Sequence, residues 1–487
     1  MEQIRITFIN ENKTVAVEKG TTLLDAQIKA GLLPDAPCAG KGICGKCKIL
    51  VDGKEVLACQ TTVEKDMVVE CVKKGHNNFL TKGITVQVEP DRKHSYVIAF
   101  DIGTTTVVAY LMNGHTGELL SWSSALNPQT QYGADVVSRI QLAIEEGVDV
   151  LASCIRESLA ALVSEVSNKA GIKAGEIKLA TVVGNTAMHH LFLGIDPTSL
   201  IKPPYMPNIS KAMKIPAKGI LPIAADGTIR ILPNIAGFVG ADTVGCMLST
   251  RFDQLNELTL MIDIGTNGEM VLGNNSRMLA CSTAAGPAFE GARISCGMRG
   301  AEGAIDHVWL EDGHVCWHVI GEGAANGLCG SGLLDLVAVL LEMGVIDETG
   351  KLLCGSAYRL GDTSVELTQK DIREVQLAKA AIRAGVELLA KYLGESVAHI
   401  HSVYLAGAFG SFLNPSSVCR IGMLPPSLQN KITSIGNAAG EGAKLCALNE
   451  EEFEYSMRLA EKTAFLELAS LPQFQDCYVD SLSFEEE

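Results

Sequence analysis

Four cysteines in the first sixty residues constrain this chain more than any other feature. They read Cys38-AGKGI-Cys44-GK-Cys47-KILVDGKEVLA-Cys59, a C-x5-C-x2-C-x11-C spacing. Iron–sulfur clusters need four thiolates converging on a small inorganic core, and a glycine-rich loop lets the backbone wrap it closely. Gly40, Gly42 and Gly45 supply that loop. The segment after Cys47 has the alternation of a hairpin, with Asp52-Gly53 as a type I′ turn signal, which would return Cys59 towards the other three. Zinc sites usually pair two C-x2-C knuckles, whereas here one such pair stands with two single cysteines. The pattern therefore favours a 2Fe–2S cluster over zinc and over a chance grouping.

The cluster motif sits in a plausible small domain. Residues 4–9 and 14–18 alternate apolar with polar around a turn at Glu11-Asn12-Lys13, predicting a β-hairpin. Thr21 or Thr22 can cap the helical pattern that follows, and Gly31 can end it. Hairpin then helix is the opening of a β-grasp fold.

At 487 residues the chain needs more than one domain. A net charge of −16 argues against nucleic-acid binding, which requires excess Lys and Arg. The N-terminus interleaves polar residues, and later apolar runs such as LLDLVAVLLEMGV are too short to span a bilayer, so no membrane partner is expected. The fifteen cysteines then suit a reducing, cytoplasmic setting, with those outside the motif read as small buried hydrophobes.

Beyond residue 96 one motif occurs twice. YVIAFDIGTTTVVAYL and LMIDIGTNGEMVL each carry an apolar strand into D-I-G-T, 162 residues apart at Asp101 and Asp263. A repeat of that period indicates duplication of a whole subdomain. Gly103 and Gly265 suit a tight turn near phosphate, and Thr104, Thr105, Thr106, Thr266 and Asn267 add donors. Asp101 and Asp263 would repel phosphate directly but can hold Mg2+ through its waters or orient an attacking water. A third strand, HSVYLAGAFGSFLNP, ends in Gly407-Ala408-Phe409-Gly410 and follows a long amphipathic helix for which Thr368 is a candidate cap. VVGNTAMHHLFLG provides a counterpart in the first half.

The two D-I-G-T loops and the A-G-A-F-G turn resemble those of the acetate kinase, sugar kinase, Hsc70 and actin superfamily, over roughly residues 97–470. That resemblance implies two ribonuclease H-like halves clamping ATP and Mg2+, with Asp101 and Asp263 in the phosphate loops and Gly407 to Gly410 in the adenosine turn. The cysteine loop is similar to plant-type ferredoxins, whose usual first gap is x4. Together, a ferredoxin domain ahead of such a body resembles the reductive activators of corrinoid enzymes. Residues 127–140, 182–197, 285–305 and 468–484 share that family's character, so the similarity spans almost the whole chain. One departure is a shorter connection between the cluster domain and the body, about a dozen residues, which would restrict how far the cluster can swing.

The expected fold class is thus an α+β β-grasp 2Fe–2S ferredoxin domain followed by an α/β duplicated ribonuclease H-like, actin/hexokinase-type ATPase body. Residues 1–84 would form the first, 85–96 a linker, 97–256 one ATPase subdomain and 257–487 the other with the C-terminal segment. The resemblance implies an ATP-hydrolysing enzyme that reduces an inactive Co(II) corrinoid protein of a methyltransferase system to Co(I). It implies a low-potential electron donor and leaves a homodimer open. Other readings are an activator of 2-hydroxyacyl-CoA dehydratases, a nucleotide-regulated electron carrier or redox sensor without turnover, and a small-molecule kinase. His189 and His190 read as structural, Glu290 as an ion-paired or solvated carboxylate or a general base, and Gly330 to Gly332 as a tight turn or an anion-binding helix start. Glu485 to Glu487 read as a solvated tail.

Overall fold

The computed structural model describes residues 3–32, 34, 36, 40, 42, 47–71, 83–133 and 135–484. The expectations for Cys38, Cys44 and the acidic tail at 485–487 therefore lie outside the described residues.

Strands β1 (Gln3–Phe8) and β2 (Lys13–Glu18) pair antiparallel, with Ile6 opposite Val15. Their period of two buries Ile4, Ile6, Phe8 and Val17. Helix α1 (Leu23–Lys29) starts at Thr22, whose Oγ1 accepts the Asp25 N–H at 3.1 Å. Strands β3 (Lys48–Val51) and β4 (Lys54–Leu57) turn at Asp52 and Gly53, both with positive φ (50° and 74°), as a type I′ turn requires. Strand β5 (Met67–Cys71) inserts between β1 and β3, parallel to the first, completing the order β2-β1-β5-β3-β4 of a β-grasp sheet.

The remainder contains one topology twice. In the first half β6 (Tyr96–Ile102), β7 (Thr106–Asn113) and β8 (Leu119–Leu126) form an antiparallel meander. Helices α2 (Val136–Glu146) and α3 (Asp149–Ala170) follow. Strand β9 (Ile177–Gly184) runs parallel to β6 and leads into α4 (Thr186–Leu193). Strands β10 (Met213–Pro216) and β11 (Thr228–Ile231) extend the sheet before α5 (Ala241–Thr250).

In the second half β12 (Thr259–Ile264), β13 (Gly268–Gly273) and β14 (Met278–Thr283) repeat the meander. A small sheet of β15 (Ala304–Glu311), β16 (His314–Val319) and β17 (Gly327–Leu328) is inserted next, then α6 (Gly330–Glu342) and the hairpin β18 (Ala357–Arg359) and β19 (Glu366–Thr368). Helix α7 (Gln369–Leu393) is held at its start by a reciprocal box: Thr368 Oγ1 accepts the Asp371 N–H, and an Asp371 carboxylate oxygen accepts the Thr368 N–H at 2.8 Å. Strand β20 (Ser402–Ala406) lies parallel to β12 and passes into the short α8 (Gly407–Gly410) and α9 (Pro415–Arg420). Strand β21 (Ile432–Gly436) lies parallel to β20 and precedes α10 (Ala438–Leu448) and α11 (Glu450–Lys462). The chain ends with β22 (Thr463–Phe465) beside β14 and α12 (Pro472–Asp480) against α7.

The cores of the two large sheets, β11-β9-β6-β7-β8 and β21-β20-β12-β13-β14, therefore correspond strand for strand. Helices α5 and α10 occupy equivalent places after β11 and β21 and pack on each other between the halves. They touch backbone to backbone, since a Cβ on Gly442 would lie 2.2 Å from the Gly245 carbonyl oxygen. Residues 83–94 lie along this body: Ile84 donates to the Ile435 carbonyl at 2.9 Å and Asp91 to that of Leu448 at 3.0 Å. Of the cysteines outside the motif, Cys246, Cys281 and Cys446 are fully buried, while Cys354 is exposed.

Candidate functional site

Each D-I-G-T segment is the bend between the first two strands of its meander. Gly103 N–H closes the first bend on the Thr106 carbonyl and Gly265 N–H closes the second on the Asn267 carbonyl, both at 2.9 Å. The two bends face one cleft of about 300 Å3, together with Gly407 and Phe409 of the third motif. Gly407 has φ +83°, and a Cβ there would stand 2.5 Å from Asp263 Oδ1. Its place beside the carboxylate of the second D-I-G-T bend thus excludes a side chain on two counts. Phe409 stacks on Phe289 with ring centroids 5.2 Å apart, and Gly410 packs behind, against Leu405.

The first loop is braced from several sides. Asn127 donates its side-chain amide to the Gly103 carbonyl at 2.8 Å, and its own N–H to the Thr105 carbonyl at 2.8 Å. The fully buried Arg139 donates to the Thr104 carbonyl at 2.6 Å and the Gly133 carbonyl at 2.9 Å. Burial lowers its guanidinium to about 10, so it stays charged at neutral pH. Asn185 caps α4 by accepting the Met188 N–H and donates to Thr104 Oγ1 at 3.0 Å. Asn437 acts likewise at α10: it accepts the Gly440 N–H at 2.8 Å and donates to Asp101 Oδ2 at 2.9 Å.

Carboxylates dominate the cleft's electrostatics. Burial raises Asp101 to about 6, against the opposing hydrogen bond from Asn437. Burial and then Asp101 raise Asp263 to about 7. Asp242, in the first turn of α5, is raised to about 7 by burial and then by Asp263. Glu269 is pushed up by burial and by both of these neighbours. A cation entering here would restore the ionised forms. Among the described residues no three His, Cys, Asp or Glu side chains converge tightly enough to hold a metal alone. A Mg2+ ion would need water and phosphate oxygens to complete its shell.

Glu290 is half-buried in the lining of the cleft. Its two oxygens accept from Thr105 Oγ1 at 2.7 Å and Thr266 Oγ1 at 2.8 Å. Gly330 and Ser331 line the same cleft at the start of α6, but Gly330 is also required by packing, since a Cβ would lie 2.0 Å from the Phe289 carbonyl oxygen. His190 is structural: Asn208 N–H donates to its Nε2 at 3.1 Å, so Nδ1 carries the proton and donates to the Thr186 carbonyl at 2.7 Å. Burial holds His189 at about 3, hence neutral.

Sequence reasoning missed Asp242, Glu269, Arg139 and the bracing asparagines. The signal for the asparagines was present: Gly184-Asn185 and Gly436-Asn437 each end a strand and start a helix. Arg139 gave none, because burial of a charged side chain is invisible in a linear pattern.

In the β-grasp sheet, the pairing of Lys48 with Leu57 brings Cys47 and Cys59 to the same end of the β3–β4 hairpin. The Ala58 N–H donates to the Cys47 carbonyl at 2.7 Å, and no disulfide joins the two cysteines. Gly40 has φ +80°, and a Cβ on it would approach the Cys59 Cβ to 3.9 Å, so Gly40 lies close to that cysteine. The Gln60 amide also reaches Cys59 Sγ, at 3.9 Å. Two cysteines at one hairpin end, with Gly40 close to one of them, fit an iron–sulfur cluster.

Comparison with known proteins agrees with both halves of this geometry. Residues 7–72 match the model of the 2Fe-2S iron-sulfur cluster binding domain. Residues 96–255 match that of the RACo middle region, and 257–487 that of the C-terminal domain of RACo, the ASKHA domain. The chain is 32% identical to the corrinoid activation enzyme RamQ of Eubacterium limosum, over 99% of each chain. The chain belongs to the RACo family. Its similarity extends to a [Co(II) methylated amine-specific corrinoid protein] reductase of Methanosarcina barkeri, 28% identical over 80% of this chain and 77% of that one. A solved structure, the reductive activator for corrinoid, iron-sulfur protein, superposes with TM-score 0.73 at 28% identity over 99% of this chain and 98% of that one. The expected fold class, a ferredoxin domain followed by an actin/hexokinase-type body, is that of the RACo family.

Proposed function

We propose that this RACo-family chain reductively activates a corrinoid protein of a methyltransferase system, taking its inactive Co(II) cofactor to Co(I) with the help of ATP. The reading rests on one observation: both D-I-G-T bends and Gly407 meet at a single cleft, in a chain whose β-grasp sheet sets Cys47 and Cys59 side by side. The names of the relatives point the same way.

In this reading Cys38, Cys44, Cys47 and Cys59 hold a 2Fe–2S cluster, which supplies a one-electron relay from a low-potential donor. Asp101 and Asp263 hold Mg2+, chiefly through its waters, while Thr104, Thr105, Thr106, Thr266 and Asn267 face the phosphates. Gly407 to Gly410 form the adenosine turn. Plant-type clusters sit at about −400 mV, and reduction of Co(II) to Co(I) is thermodynamically steep. For one electron each 30 mV of shortfall costs roughly 0.7 kcal/mol, and differential binding of ATP to the reducing complex would offset it. We assign residues 1–84 to the cluster unit, 97–256 and 257–487 to the two ATPase subdomains, and the protein to the cytoplasm. Among the described residues no helix is long and apolar enough to cross a membrane.

The test is anaerobic reduction of a Co(II) corrinoid protein, followed by its visible spectrum, with a low-potential reductant and with or without ATP and Mg2+. Co(I) formed only with ATP is the expected result. No Co(I) from several corrinoid partners, despite an intact cluster and bound ATP, would overturn the reading in favour of an electron carrier.

A further inference from the structure

The segment that leads out of the β-grasp unit reaches the body beside the nucleotide cleft. Gly83 forms an isolated antiparallel bridge with Gly436, and its N–H donates to Glu441 Oε1 at 3.2 Å. The contact is backbone against backbone: a Cβ on Gly83 would lie 2.7 Å from the Asn437 carbonyl carbon and 2.8 Å from the Ala438 nitrogen. Docking continues along α10 to its far end. Val86 and Val88 pack on the core between the halves, and Asn449 donates to the Glu89 carbonyl at 2.9 Å.

The peptide that Gly83 covers belongs to Asn437, and the side chain of Asn437 crosses to the first half. It is 8% exposed. Its Oδ1 accepts the Gly440 N–H, and its Nδ2 donates to Asp101 Oδ2 at 2.9 Å and to the Tyr110 hydroxyl at 3.1 Å. Both amide hydrogens and the carbonyl are committed, and a flipped amide would set its NH2 against the Gly440 N–H. One residue thus joins the docked tether, the start of α10 and the carboxylate of the first phosphate loop. Helix capping alone would need only Oδ1.

We infer that Asn437 is a positioning residue that couples docking of the ferredoxin tether at Gly83 to occupation of the nucleotide cleft, an inference that rests on reading the cleft as an ATP site. The donated amide fixes where the Asp101 carboxylate stands in the cleft, with the Tyr110 hydroxyl holding the same amide from its other hydrogen. A docked tether holds the Asn437 peptide in place and so favours nucleotide binding. By linkage, nucleotide must favour the docked tether by the same factor.

The experiment measures Mg·ATP affinity by calorimetry on the full chain, and tryptic cleavage at Arg92 and Lys93 with and without nucleotide. Gly83→Val, outside the cleft, should weaken affinity about fivefold or more, in the usual range of coupling between sites. Asn437→Ser keeps a helix-capping oxygen but is too short to reach Asp101. It should weaken affinity comparably, abolish nucleotide protection of the tether, and leave Gly83→Val with no further effect in the double variant. If Gly83→Val does not fold, Glu441→Gln, which weakens the acceptor of the Gly83 N–H, replaces it. Wild-type affinity in the tether variants, or additive losses in the double variant, would overturn the coupling while leaving the ATP site standing. No Mg·ATP binding by the unmutated chain would overturn the reading of the cleft, and the coupling with it.

Discussion

Thr105 and Thr266, one from each D-I-G-T bend, donate their hydroxyls to the two oxygens of the same carboxylate, Glu290, at 2.7 and 2.8 Å. The two halves are thereby bridged across the cleft by one carboxyl group, and in the proposed reading a nucleotide phosphate would compete for the same donors. Glu290→Gln should tighten nucleotide binding by several-fold, because the repulsion is removed. If the carboxylate also orients the attacking water, kcat for ATP hydrolysis should fall by about a hundredfold or more. Calorimetry and steady-state ATPase rates check the two effects separately. A variant with wild-type kcat would reduce Glu290 to a brace.

The carboxylates around the cleft carry a pH-dependent cost. The folded-state value of Asp263 is raised to about 7 from 3.8, by burial first and Asp101 second. A carboxyl with a raised value destabilises the fold above its unfolded value, because folding opposes ionisation; below both values it contributes nothing. Asp263→Asn should therefore stabilise the chain at pH 8 by about 1–3 kcal/mol, less than the full shift because the side chain is open to the cleft. The gain should shrink as pH falls from 7 towards 4. Thermal melts in EDTA at pH 5 and pH 8 check the sign. An equal effect at both values would mean that packing, not charge, sets it.

Local pattern carried much of this molecule. Asp52-Gly53 specified its turn, Thr368 its cap, and the recurrence of D-I-G-T the duplication of a whole subdomain, because each depends on neighbours in sequence. The D-I-G-T donors also line one cleft, since each bend places its own set together. What escaped were contacts that only the assembled halves create. Asn437 lies 336 residues from Asp101, and Glu290 lies 185 from Thr105. The docking of residues 83–94 was equally hidden, because a short polar stretch reads as a linker whether or not a surface waits for it. Asp242 gave no signal because its raised value comes from burial and from Asp263, which is remote in sequence.

The hairpin register makes a separate prediction for the cluster. Cys47 and Cys59 share one end of the β3–β4 hairpin, whereas Cys71 ends β5 opposite Ile49 and its thiol accepts from the Gln27 amide at 3.4 Å. After anaerobic reconstitution, Cys59→Ala should lose most bound iron and the visible charge-transfer bands. Cys71→Ala should keep both. Iron analysis with visible spectra decides, and an unchanged Cys59→Ala spectrum would remove that residue from the ligand set.

The contact between α5 and α10 offers the sharpest steric test. These helices occupy equivalent places in the two halves and cross with Gly442 on Gly245, where a new Cβ would lie 2.2 Å from a carbonyl oxygen, 2.5 Å from the Gly245 Cα and 2.6 Å from its carbonyl carbon. No side-chain rotation can relieve a clash with backbone, so Gly442→Ala must push the helices, and the halves with them, apart. The expected cost is about 2–3 kcal/mol, the upper part of the overpacking range. Gly175→Ala is the control, since nothing stands within 4 Å of its added Cβ, and it should stay within about 0.5 kcal/mol. The starts of both helices line the cleft, through Asp242 of α5 and Ala439 of α10. Gly442→Ala should therefore weaken Mg·ATP binding as well as lower Tm, while Gly175→Ala changes neither. Loss of Tm with unchanged affinity would show that the cleft is set elsewhere than at this crossing.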